Sequence, residues 1–97
     1  MLTRLVKMTF RSEACAEFER IFETASPQIR AFEGCRSVEL LRDMEAGNIY
    51  FTRSTWKSDA ALQAYRNSEL FAATWAKTKV LFEEKAEAWS MESVASL

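Results

Sequence analysis

The sequence predicts a single α+β domain whose elements run in the order β-α-β-β-α-β. Three observations carry that expectation. Apolar residues alternate with period two at the amino terminus, then recur with helical period for about five turns, and an aromatic and β-branched segment follows a glycine-bearing loop. With 97 residues, 48% of them hydrophobic and 12% aromatic, the chain can fill one core and has no room for a second.

Residues 2 to 10 place Leu2, Val6, Met8 and Phe10 on one parity and Thr3, Leu5, Lys7 and Thr9 on the other, which is the pattern of a strand. Ser12 is a good helix N-cap and is followed by Glu13. Apolar residues then fall at Ala14, Phe18, Ile21, Ala25, Ile29 and Phe32, in steps of three and four. Pro27 lies inside that stripe, where it removes a backbone donor and crowds the carbonyl of Glu23. Because the stripe keeps its phase, one kinked helix is expected rather than two. Gly34 supplies the permissive residue past the helix end. A second strand runs from Cys35 to about Asp43, residues 44 to 48 read as a hairpin loop, and Ile49 to Trp56 form a third strand.

Ser58 caps the next helix, with Asp59 in its first turn, and that helix breaks at Asn67 and Ser68, where Ser68 caps again. The continuation to about Phe82 carries Phe71, Trp75, Thr78 and Phe82 on one face, and alternation from Lys85 to Met91 gives a fourth strand. This order is the split βαβ, or ferredoxin-like, plan: a four-stranded antiparallel sheet with helices on one face. The other face of such a sheet is ordinarily polar, yet here several strands are apolar on both parities. Leu5 opposes Val6 and Met8, Leu40 opposes Leu41, and Ile49 and Phe51 oppose Tyr50 and Trp56. Apolar surface on both faces predicts a homodimer packed sheet against sheet.

Composition excludes several functions. Thirteen Lys and Arg against 14 Asp and Glu give a net charge of −1, which offers nucleic acid or anionic lipid no basic field. There is no histidine, which removes His-ligated haem, His zinc sites and Ser-His-Asp or Cys-His catalysis. Glu83, Glu84, Glu87 and Glu92 read as solvated side chains rather than metal ligands, and Gly34 and Gly47 are too few for a phosphate-binding loop. The aromatic and basic pattern of RNA-binding modules is absent from the central strands. Cys15 and Cys35 read as free thiols. The charged amino terminus is no signal peptide, and no apolar stretch approaches the ~20 residues of a membrane span, so a cytoplasmic location without membrane association is expected.

Three groups of residues carry a resemblance. Phe32-Glu33-Gly34-Cys35-Arg36 leading into a strand, Trp56-Lys57-Ser58 closing another, and Ala61-Leu62 followed by Tyr65, Ser68 and Phe71 resemble the antibiotic biosynthesis monooxygenase family over roughly Leu2 to Met91. The resemblance implies the dimeric α/β-barrel fold, two sheets packed face to face, with a pocket in each protomer between sheet and helices. It also implies either cofactor-independent oxygenation of phenols and quinols or haem degradation. The haem branch ligates iron through a helix histidine and uses an asparagine on the first strand. This sequence has neither, so neither haem nor another cofactor or metal is expected.

A deprotonated phenol or hydroquinone can pass an electron to oxygen unaided, so the protein need only stabilise the anion and exclude water. The candidate catalytic residues are Trp56, Tyr65 and Asn67, offering an indole N–H, a hydroxyl and an amide. The candidate substrate-binding residues are Arg53, Phe71 and Trp75, a cation for an anionic oxygen and two aromatic surfaces. Each has a plainer role beside this one: core packing for Trp56 and Trp75, an ion pair with Glu39 or Asp43 for Arg53, and the helix break for Asn67. Trp89, on the last strand, is assigned to the sheet interface. The alternative function is a non-enzymatic homodimer that binds a small aromatic ligand or serves a structural role.

Overall fold

A computed structural model describes the whole chain, Met1–Leu97. Its elements are β1 (Leu2–Phe10), α1 (Cys15–Arg30), β2 (Cys35–Arg42), β3 (Ile49–Trp56), α2 (Asp59–Arg66), α3 (Glu69–Lys79) and β4 (Phe82–Glu92), with a single 3₁₀ turn at Ser12–Ala14. The strands form one antiparallel sheet in the order β2-β3-β1-β4, so the two central strands are first and third in sequence, as the ferredoxin-like plan requires.

Register assigns every side chain to a face. Leu2, Arg4, Val6 and Met8 of β1 lie opposite Trp56, Ser54, Thr52 and Tyr50 of β3, on the side covered by the helices. The residues between them, Thr3, Leu5 and Lys7, lie opposite Thr55, Arg53 and Phe51 on the other side. Beneath the helices the core has two centres. Met8, Phe10, Phe18, Tyr50 and Leu81 form one, in which the Phe10 and Phe18 rings stack at 4.2 Å. Ala25, Ile29, Cys35, Trp56, Ala61 and Leu62 form the other.

The boundaries depart from expectation where two patterns compete. Ser12 caps nothing with its side chain: Arg11 precedes the 3₁₀ turn in extended conformation, and α1 starts at Cys15. The helix runs through Pro27 as one element and closes three residues later, and Phe32 lies beyond its end, its ring 5.6 Å from that of Tyr65. Phe82, expected as the last residue of a helical stripe, opens β4 instead. The chain turns at Leu81, whose N–H bonds the Thr78 carbonyl and whose carbonyl accepts from Arg11, and this delivers Phe82 opposite Phe10. In the β2–β3 loop, the Asp43 carboxylate accepts the backbone N–H groups of Glu45 and Ala46.

The break between α2 and α3 forms where expected, and its chemistry is local. The Ser58 hydroxyl accepts the Ala61 N–H at 3.2 Å, and the Ser68 hydroxyl accepts the Phe71 N–H at 3.1 Å while donating to the Tyr65 carbonyl at 2.6 Å. Ser68 thus ties the end of α2 to the start of α3 and sets the spacing of Tyr65 and Phe71. Ser68→Ala is expected to lower stability by about 1 kcal/mol in urea denaturation, the ordinary cost of a lost N-cap.

Both cysteines are free thiols. Burial pushes the Cys35 thiol up, against the opposing influence of Arg30, so it is protonated and unreactive near neutral pH. No helix is long and apolar enough to cross a membrane.

Candidate functional site

Helical coverage of the sheet is incomplete. Between the inner face of β1, β3 and β4 and the facing sides of the three helices lies a cavity of about 290 Å³. An apolar cavity of ~150 Å³ holds one benzene ring, so this volume suits a bicyclic aromatic or one substituted ring.

Four of the six candidate residues meet there. Trp56, at the end of β3, is fully buried, and its Nε1–H donates to the Ser54 hydroxyl at 2.9 Å. Its ring stacks on Tyr65 of α2 at 5.1 Å, Tyr65 meets Phe71 of α3 edge-on at 5.3 Å, and Phe71 stacks on Trp75 at 5.8 Å. The result is a continuous aromatic wall contributed by one strand and two helices, with all four residues lining the cavity. Helical spacing on α3 and the cap at Ser68 set its pitch.

The other two candidates are elsewhere. Arg53 is three residues from Trp56, an odd step along a strand, and so it lies on the opposite face of the sheet. There it is exposed, across from Leu5 on β1 and Glu39 on β2. It makes no ion pair with Glu39 or Asp43; the chain's four are Lys7–Glu87, Arg11–Glu13, Arg42–Glu19 and Lys57–Glu33. Asn67 is exposed at the carboxyl end of α2, where its backbone N–H bonds the Gln63 carbonyl at 3.0 Å, and it does not line the cavity. Its place in the fold is the helix break.

The cations at the cavity are two others. Arg4 of β1 and Arg66 of α2 both line the cavity. Arg4 was legible by parity, since it shares the inward face with Leu2, Val6 and Met8, where a charged residue is out of pattern. Arg66 immediately follows Tyr65 and falls one helical turn after Leu62.

The lining contains no aspartate, glutamate, lysine or cysteine; besides the two arginines its only titratable group is Tyr65. Burial pushes the Tyr65 hydroxyl up to about 12, with the nearby Cys35 acting in the same direction. That phenol is a neutral donor at physiological pH and no base. Tyr50, outside this cavity, is also raised to about 12, first by burial and then by donating to Glu19, which pairs with Arg42 at 3.7 Å.

A group whose pKa is raised by folding stabilises the fold fully below its unfolded value and loses that contribution as pH climbs to the folded value. Both tyrosines therefore stabilise the domain below pH ~10 and cease to do so as pH approaches about 12. Tyr65→Phe is expected to show a shallower loss of stability than the native chain between those limits in urea denaturation, and an equal slope contradicts this assignment. No three His, Cys, Asp or Glu side chains converge in a way that would hold a metal ion.

The family model described as antibiotic biosynthesis monooxygenase matches residues 1–77, from β1 through most of α3. The chain belongs to the antibiotic biosynthesis monooxygenase family. No curated protein matches the sequence.

Solved structures of the monooxygenase family share the fold at low identity. One called an antibiotic biosynthesis monooxygenase has a TM-score of 0.91 at 17% identity, covering 98% of this chain and 100% of that one. SnoaB from Streptomyces nogalater, a cofactor-independent oxygenase, has a TM-score of 0.89 at 21% identity over 99% and 95% of the two chains. A putative antibiotic biosynthesis monooxygenase from Caulobacter crescentus has a TM-score of 0.90 at 18% identity over 97% and 90%.

Proposed function

We propose that this member of the antibiotic biosynthesis monooxygenase family is a cofactor-independent monooxygenase of small phenolic or quinol substrates, bound in the cavity between sheet and helices. The observation that carries the reading is the aromatic wall of Trp56, Tyr65, Phe71 and Trp75 around about 290 Å³. The named activity of SnoaB, on the same fold, supports the reaction type.

In this reaction the bound phenolate gives one electron to dioxygen, and the substrate radical and superoxide combine into a carbon–oxygen bond. The resulting hydroperoxide loses water to leave a quinone carbonyl: one oxygen atom enters the product and the other leaves as water. The protein's part is to bind the ring against Trp56 and Trp75, donate from the neutral Tyr65 hydroxyl to an anionic oxygen, and keep bulk water away. Because no base lines the cavity, the substrate ionises through its own acidity. Activity is therefore expected to rise with pH through the substrate's own pKa, with the midpoint moving when a more acidic phenol is supplied.

Oxygen uptake with a panel of phenols and hydroquinones, compared between the native protein and a Trp56→Phe, Tyr65→Phe double variant, tests the proposal. Uptake by the native chain and at least a tenfold loss in the variant are expected, on the scale of one lost transition-state donor. Equal rates in the two proteins sink it.

The lack of a proton acceptor in the cavity favours one second reading, in which the same cavity sequesters a small aromatic ligand without turnover. Thermal stabilisation by a phenol without oxygen uptake would select it.

We also infer a homodimer. On the sheet face away from the helices, Leu41, Trp89 and Met91 are 41%, 42% and 44% exposed and run together with Leu5 and Phe51. Lys7, Glu39, Arg53 and Glu87 share this face, so the apolar residues form patches among charges. Half-exposed aromatic and aliphatic patches of this kind are what a second copy covers, and the family resemblance implies the same packing.

A further inference from the structure

We propose that the cavity takes aromatic monoanions and seats their carboxylate between Arg4 and Arg66. The inference rests on the aromatic cavity proposed above and adds the class of molecule that enters it.

Both guanidiniums line the same cavity. Burial lowers the pKa of Arg4, and the positive charge of Arg66 lowers it further. Neither arginine is in any of the four ion pairs of the chain. Their side-chain partners are neutral: Arg4 Nη1 donates to the Ser90 hydroxyl at 2.9 Å, and Arg66 Nη1 to the Gln63 amide oxygen at 3.4 Å. A half-buried arginine held beside a second arginine with no carboxylate bound to either is an electrostatic cost that an anionic ligand would remove.

No carboxylate lines the cavity beside the two arginines, and Asp59, in the first turn of α2, is engaged by the Gln63 amide at 3.2 Å. The guanidinium fork suits a carboxylate's two oxygens.

The approach is geometrically consistent. Arg4 lies opposite Ser54 in the sheet, and Ser54 accepts the Trp56 indole N–H, so the cationic end adjoins the Trp56–Tyr65 stack. An anion at Arg4 and Arg66 directs an attached ring toward that aromatic wall. The Ser54 hydroxyl proton, with no acceptor in the chain, is available to the ligand.

The test is equilibrium binding of 2-naphthoate and the isosteric neutral 2-naphthamide, read by isothermal titration and free of any dependence on turnover. Native protein is expected to prefer the acid by about tenfold to a hundredfold, the worth of charge-assisted hydrogen bonds. That ratio is expected to fall toward one in the Arg4→Gln, Arg66→Gln double variant and to shrink with added salt. Using a ratio within each protein makes the result independent of any loss of stability. Equal binding of acid and amide by the native protein overturns the anion seat while leaving the aromatic cavity standing. A preference that survives in the double variant also overturns it. Binding of neither compound contradicts both readings.

Discussion

Gly34→Ala is expected to lower the stability of the domain by roughly 2–4 kcal/mol and to disturb the site with it. Gly34 has φ +87°, a backbone conformation in which a Cβ is strained, and it is the only residue of the chain with a left-handed φ. Space compounds the strain. An added methyl would lie 2.5 Å from the Ala61 Cβ and 3.3 Å from Lys57 Cγ, while the Gly34 carbonyl accepts the Lys57 N–H at 2.9 Å. The lysine can move, but Ala61 is fixed to the first turn of α2, so the helix must retreat and carry Leu62 and Tyr65 away from Trp56. Thermal unfolding of Gly34→Ala should show the loss, and Ala61→Gly in the same chain should restore part of it by removing the contact but not the strain. Gly47, with nothing within 4 Å of a built Cβ, is the control: Gly47→Ala is expected to stay within about 0.5 kcal/mol of native. A neutral Gly34→Ala would mean that α2 is not held against the turn as described.

Trp89→Glu is expected to convert the proposed homodimer to a monomer. Trp89 projects from the open face of the sheet, directly across β1 from Leu5 and beside Met91 on its own strand. Trp89 is 42% exposed, so a carboxylate there can reach water in the isolated protomer, whereas covered by a second copy in the proposed sheet-to-sheet packing it would be an unpaired buried charge. Light scattering should give twice 11.2 kDa for the native chain and 11.2 kDa for the variant, with unchanged far-ultraviolet circular dichroism. A native chain that scatters as 11.2 kDa contradicts the homodimer.

The fold was legible where one periodicity acted alone. β1 and β3 were readable end to end because period two has no competitor there, and the α2–α3 break was readable because Asn67 and Ser68 carry their chemistry in the side chain. The boundary before β4 was hidden because Phe82 continues the stripe of Phe71, Trp75 and Thr78 in helical phase and also pairs with Phe10 in the sheet; the sheet pairing, a tertiary contact, decides. Ser12 failed as a cap because the chain enters α1 through a 3₁₀ turn whose geometry no single residue announces.

The site divides in the same way. Trp56, Tyr65, Phe71 and Trp75 converge because strand-end and helix-face positions point inward by pattern. Arg53 lies away from the cavity, and parity shows why: counting three residues back from Trp56 puts it on the outer face, and counting inward residues on β1 picks out Arg4. Arg66 was not accessible by either count, since its place at the cavity depends on how α2 lies across the sheet.

In the proposed monooxygenation one oxygen atom of dioxygen ends in the product while the other becomes water, with no cofactor supplied. Turnover of a phenol under ¹⁸O₂, followed by mass spectrometry of the quinone, measures this directly. A monooxygenase is expected to give one ¹⁸O per product molecule and no accumulation of hydrogen peroxide. Quinone without label, accompanied by stoichiometric peroxide, would make the protein an oxidase, and no product at all would leave the cavity as a binding site; either result contradicts the monooxygenase.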